Sequence, residues 1–74
     1  MKVGNLVQSS DGGTRILYQE LSHKPSGKLF AGEIGLVLQV NDDYEHDGTR
    51  LCVLTPRGTV GWRGIDAFKV ISET

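Results

Sequence analysis

The sequence predicts an all-β protein folded as a small barrel. Residues 50–71, RLCVLTPRGTVGWRGIDAFKVI, read as two strands joined by a tight turn, then a one-turn corner and a last strand. Ten glycines against two prolines suit a fold with many tight corners. Two segments, 36–40 and, within that stretch, 51–54, are almost continuously apolar, as core strands are.

Taken in order, Val3–Val7 is a first strand, closed by the turn cluster Ser9-Ser10-Asp11-Gly12-Gly13. The stretch 14–21, TRILYQEL, fits neither a helical stripe nor strict alternation. Thr14 could cap a short helix, but Leu17 stands where a capping box needs Glu or Gln. The preferred reading is an extended arm that turns at Lys24-Pro25-Ser26-Gly27 and returns over 28–31; a two-turn helix over 14–21 is the alternative. Gly35–Val40 is the second core strand, and 41–49, NDDYEHDGT, is a polar, acidic loop. In Thr55-Pro56-Arg57-Gly58, proline presets φ and glycine admits a left-handed backbone, so the chain reverses there. Over 59–63, Val60 and Trp62 share one face, and Thr59, Gly61 and Arg63 the other. Gly61 weakens a strand unless another backbone comes close or the strand bends. Residues 64–67 suit a single 3₁₀ turn and 69–71 a closing edge strand.

Seventy-four residues make one domain, 1–74. A core of that size supplies only about 3–5 kcal/mol, so a staple or a partner subunit is expected. Cys52 is the single cysteine, which excludes an internal disulfide, and its apolar strand makes it a small buried hydrophobe. Met1-Lys2-Val3-Gly4-Asn5 shows no apolar h-region and no stretch approaches a membrane-spanning run, so a soluble, unsecreted protein with no membrane partner is expected. A net charge of −1 argues against a general polyanion binder, though not against a local basic patch.

A barrel has one inside, so strands that are apolar on both faces need their outer face covered. The cover is either the excursion over 14–33 or a neighbouring copy of the chain. Leu36, Val37, Leu38, Cys52 and Leu54 are the candidate oligomer contacts.

No catalytic constellation or cofactor site is read from the sequence, and no metal site. Asp43-x-Glu45-x-Asp47-Gly48 half resembles a calcium loop, but Leu54 occupies the position of its twelfth ligand and strands flank it. His23 and His46 have no ligand partners at metal-site spacing. Ser26-Gly27-Lys28 ends like a phosphate-binding loop but lacks its first glycine, replaced by Ser22. What remains are cations beside aromatics, a pairing that can hold phosphates while stacking bases. Arg57, Trp62, Arg63, Lys24 and Lys28 are the candidate contacts for single-stranded nucleic acid, with Arg15, Tyr18 and Phe30 nearby in sequence.

The segments VGNLV, GEIGLVLQV, RLCVLTPRGTVGW and DAFKVI together resemble a family of small phage proteins typified by marine cyanophage members. Gly4, Gly35, Gly58, Trp62 and Ile71 fall on its pattern; Asn5 replaces the usual acid, Thr55-Pro56-Arg57 departs at the hairpin tip, and the excursion is longer. The resemblance implies a five-stranded SH3-like or Sm-like barrel, a class that includes ring-forming RNA binders and virion or adaptor parts. The Sm signature Ile-Arg-Gly is absent; Trp62-Arg63-Gly64 sits in a comparable place. The function expected is a homo-oligomeric, non-enzymatic module binding single-stranded nucleic acid, in the host cytoplasm or the virion. The alternative is a phage structural or adaptor protein that binds phage or host proteins only.

Overall fold

A computed structural model describes residues 1–20, 22–44 and 48–72. Seven strands form one antiparallel sheet: β1 (Leu6–Ser9), β2 (Arg15–Tyr18), β3 (Pro25–Leu29), β4 (Gly35–Tyr44), β5 (Gly48–Leu54), β6 (Val60–Gly64) and β7 (Phe68–Ser72). Their spatial order is β3-β2-β6-β5-β4-β1-β7, and the sheet curls into a half-barrel. Five core strands were expected; the other two are the arm and return of the excursion, which join the sheet as β2 and β3. The alternative helix over 14–21 does not form, because Arg15–Tyr18 pairs with β3 in register, Arg15 opposite Leu29 and Leu17 opposite Gly27.

The alternation of each strand sorts its side chains. Val7, Leu17, Leu29, Val37, Leu51, Val53 and Phe68 point inward and form the buried core, with Val40, Ile65, Ala67 and Val70 packed against it. The β4–β5–β6 meander is the backbone of the fold, with Val37 opposite Val53, and Val53 opposite Gly61. Its tip is closed as its turn chemistry predicts. The Thr55 amide donates to the Thr59 carbonyl at 2.9 Å, the Gly58 amide donates to the Thr55 carbonyl at 3.0 Å, and Gly58 carries φ of 84°. At the other end β4 runs on to Tyr44, so Asn41–Tyr44 and Gly48–Thr49, expected as loop, extend the hairpin instead. Backbone pairs such as Asn41 with Arg50 hold this extension, which needs no apolar side chains.

Gly61 is where the excursion meets the meander. A Cβ there would lie 2.4 Å from the Leu17 Cβ, 2.4 Å from the Ser26 Oγ and 3.1 Å from the Leu17 carbonyl carbon. The missing side chain lets β2 and β3 close over β6. Ser26 then donates its hydroxyl to the Val60 carbonyl at 2.8 Å, and Tyr18 pairs with Trp62. The first strand starts later than expected, at Leu6, because residues 3–4 form a turn. Asn5, buried, anchors that turn by accepting the Lys2 amide on Oδ1 at 3.0 Å, and its carbonyl accepts the Val37 amide at 3.0 Å. The one-turn corner is a 3₁₀ turn at Ile65–Ala67.

A candidate anion-binding cleft

The hairpin register brings chemistry together at the end of β5 and β6 remote from the turn. Arg50 lies opposite Gly64, and Leu51 opposite Arg63. The segment after β2 folds back there through a hydrogen bond from the Gln19 amide to the Lys24 carbonyl at 2.9 Å. Tyr18, Ser22, His23, Arg50, Arg63 and Gly64 line the resulting cleft, whose volume is about 320 Å³. Two arginines, a histidine, a serine and a tyrosine are thus among the lining residues, and no Asp or Glu is among the described ones.

Arg63 is held in place. Its Nη1 donates to the Ile16 carbonyl at 3.0 Å, and its guanidinium carbon sits 5.5 Å from the Tyr18 ring centroid. Both contacts tie β6 to the excursion. One bond uses one of five N–H donors, so Arg63 keeps donors for a ligand. Arginine in such a fixed fork suits planar, multidentate recognition of oxyanions. Ser22 accepts the Lys24 amide on Oγ at 3.1 Å, which leaves its hydroxyl proton to donate.

The other predicted contacts stand elsewhere. Arg57, at the hairpin tip, is engaged: Nη1 lies 2.8 Å from each Glu33 carboxylate oxygen, and the guanidinium stacks 4.3 Å from the Phe30 ring centroid. That tip and the cleft occupy opposite ends of the β5–β6 hairpin. Trp62 is only 7 % exposed, so its ring offers little face for a base to stack on. Lys24 adjoins the cleft-lining His23, and Lys28 lies on β3 opposite Ile16; both are exposed. Neither makes a side-chain hydrogen bond or ion pair among the described residues. Arg15 is structural: it pairs with Asp11 at 3.0 Å and donates Nε to the Ala67 carbonyl at 3.3 Å.

The predicted interface residues divide in two. Val37 is wholly inside the core and cannot reach a neighbour. Cys52 faces away from the core beside Trp62, yet both are buried within the single chain. Glu20 is close enough to Cys52 to contribute, after burial, to pushing its thiol above the ordinary value. This part of the outer face is therefore covered within the single chain. Leu36 and Leu54 stay half-buried on that face, as does Leu38 at the bulge beside it. The register aligns Leu6, Leu36, Leu54 and Val60 in a row across β1, β4, β5 and β6, with Val60 41 % exposed.

Among the described residues no group of three or more His, Cys, Asp or Glu could hold a metal. Glu45, His46 and Asp47 of the acidic stretch lie outside them. No described helix is long and apolar enough to cross a membrane.

Comparison with family models, curated proteins and solved structures finds no match. The cleft must be read from its own chemistry.

Arg50, Ser22 and His23 were absent from the nucleic-acid candidates drawn from sequence. A signal for the position of Arg50 exists there: a turn at 55–58 pairs 54 with 60, 52 with 62 and 50 with 64, which brings Arg50 to the same end of the hairpin as Arg63. No sequence spacing brings Ser22 and His23 to that point, because the fold-back of the excursion does so.

Proposed function

We propose that the chain is a non-enzymatic binding module on an SH3-like or Sm-like small barrel, and that it holds single-stranded nucleic acid at the cleft. The observation that carries this reading is the convergence of Arg63, His23 and Tyr18, with Arg50 beside them, at one cleft. Cations there meet phosphate oxygens, and the Tyr18 ring lies beside them for a base. The exposed Lys24 extends the positive surface along the excursion. The test is titration of a labelled single-stranded oligonucleotide at several salt concentrations. Affinity should fall as salt rises, because phosphate contacts release counterions; binding indifferent to salt would sink the reading.

A second reading rests on the outer row of Leu6, Leu36, Leu54 and Val60, an apolar stripe that suits a protein surface. It supports self-association through Leu36, Leu38 and Leu54, or docking on a phage or host protein. Light scattering separates a closed homo-oligomer from a monomer. For a phage adaptor, recovery in purified virions is the expected result and absence from them the contrary one. The host cytoplasm or the virion is the site of action that goes with these readings.

A further inference from the structure

We infer that the open edge of β7 pairs with β7 of a second copy, antiparallel about a two-fold axis at Val70, so that two half-barrels share one continuous sheet. The contact uses a strand edge, not the cleft and not the outer row of Leu6, Leu36, Leu54 and Val60, and stands independently of both. Three observations carry it: the phase of the β7 backbone, the contrast with the sheet's other edge, and the fit of β7 to itself.

The sheet order β3-β2-β6-β5-β4-β1-β7 leaves β7 with one neighbour, β1. The Ser10 amide donates to the Ala67 carbonyl at 2.9 Å, and Ser9 and Gln8 lie opposite Phe68 and Lys69. In an antiparallel ladder alternate residues turn their backbone groups to a given neighbour. Ala67 and Lys69 therefore face β1, and Phe68 and Val70 face the open side. The Phe68 amide closes the 3₁₀ turn on the Ile65 carbonyl. The Phe68 carbonyl and both backbone groups of Val70 remain, directed past the edge of the sheet with no partner among the described residues. Such a row is a template for another strand.

The other edge, β3, is better guarded. Pro25 brings no N–H and Lys28 is exposed. The strand also leans on β6, with the Ser26 hydroxyl on the Val60 carbonyl and Gly27 against Thr59. This favours β7 with itself over a head-to-tail pairing of β7 with β3. β7 has neither proline nor glycine; its guards are Lys69 and the irregular step opposite Leu6/Val7, which keep the contact short. Its side chains suit a copy of themselves. With the axis at Val70, the two Val70 residues exchange both backbone bonds, and Lys69 stands opposite Ile71 of the second copy. Both are exposed, Ile71 by 40 %, so the lysine stem covers an apolar surface and no like charges meet. An axis at Lys69 would set the two lysines face to face and turn the wrong backbone groups to the edge.

The experiment follows the full chain by sedimentation equilibrium and by amide hydrogen exchange, from micromolar to millimolar protein. So short an edge makes a small interface, and the expected state is a dimer that dissociates on dilution. The Lys69 amide, paired with Gln8, should exchange slowly at every concentration, whereas the Val70 amide should become protected only as the dimer forms. Ile71→Lys, at an exposed position, sets a second cation opposite Lys69 and should weaken the dimer about tenfold, since two symmetric cross-strand contacts are lost. Adding Lys69→Glu to that variant should restore the dimer, because opposite charges then face each other in this register. Circular dichroism checks the fold of both. Association in which the Val70 amide stays open overturns the edge pairing and favours the outer row instead. An Ile71→Lys protein that dimerises like the parent, a double variant that stays dissociated, or protection of Val70 in assemblies larger than a dimer overturns the two-fold pairing. A monomer at every concentration overturns the second copy as occupant and leaves the edge to a strand of another protein.

Discussion

Gly61→Ala tests the seam on which the cleft depends. The added Cβ would sit 2.4 Å from the Leu17 Cβ, where carbon atoms prefer about 3.5–4.0 Å, and 2.4 Å from the Ser26 Oγ. Leu17 cannot yield by a rotamer change, because the clash falls on its Cβ and its own backbone lies 3.1 Å away. The excursion must therefore shift by about 1 Å. That strains the Ser26 hydroxyl bond to the Val60 carbonyl and the Arg63 bond to the Ile16 carbonyl. Overpacking of this kind costs about 1–3 kcal/mol, and alanine returns roughly 0.5–1 kcal/mol of strand preference over glycine. The net loss is about 1–2 kcal/mol, a large share of what so small a core supplies. Urea unfolding followed by Trp62, the one tryptophan and the neighbour of Gly61, reads it directly. Thermal melting should drop by roughly 4–8 °C per kcal/mol. Gly64→Ala is the control: a Cβ there meets nothing within 4 Å, so stability should change by less than about 0.5 kcal/mol. A Gly61→Ala protein as stable as the parent would refute the close approach of β2 and β3 to β6.

Three further outcomes follow from the same contacts. Arg57→Ala should leave oligonucleotide affinity nearly unchanged, since Glu33 and Phe30 occupy its guanidinium, while Arg63→Ala should weaken it about tenfold or more; parallel titrations of the two variants decide this. Cys52, buried and with its thiol pushed up chiefly by desolvation, should react with a thiol reagent at neutral pH only as fast as the chain opens. Because the folded state holds that proton more tightly, its contribution to stability is complete below the unfolded value and is lost as pH rises beyond it; alkaline unfolding of Cys52→Ala should show less of that loss. Asp11 is held below the ordinary carboxylate range, first by the Gly13 amide and then by the Ser9 hydroxyl, with Arg15 adding to both. Its contribution is present above the unfolded value and disappears as pH falls through the lowered one, so Asp11→Asn should flatten acid sensitivity in melts taken between about pH 5 and 2.

Much of the fold is legible in the sequence because its decisive features are local. The Thr55–Gly58 turn, the alternation of Val60 and Trp62, and the 3₁₀ corner each follow from a few adjacent residues, and the structure places them there. The strand count is less legible. Whether the excursion stands apart or joins the sheet depends on one bridge, Tyr18 with Trp62, and on the absence of a Cβ at Gly61. That is a long-range fit that no local pattern expresses. Asn41–Tyr44 misleads for a different reason: polar residues suggest a loop, but backbone pairing and the Thr49 hydroxyl donating to Asp42 extend the hairpin there. In the cleft, Arg63 was visible as a cation beside an aromatic, while the hairpin register gives only that Arg50 stands at the same end of β5 and β6. Trp62 misleads because an aromatic on an outward face looks free in the sequence, yet the folded chain buries it.

The most direct test of the central claim is a map of amide chemical shifts as a single-stranded oligonucleotide is titrated into the labelled protein. The account predicts the largest changes at Tyr18, Ser22, His23, Arg50, Arg63 and Gly64, weakening as salt rises. Changes centred on Leu36, Leu54 and Val60, or on Arg57 at the hairpin tip, would contradict it and place the ligand elsewhere.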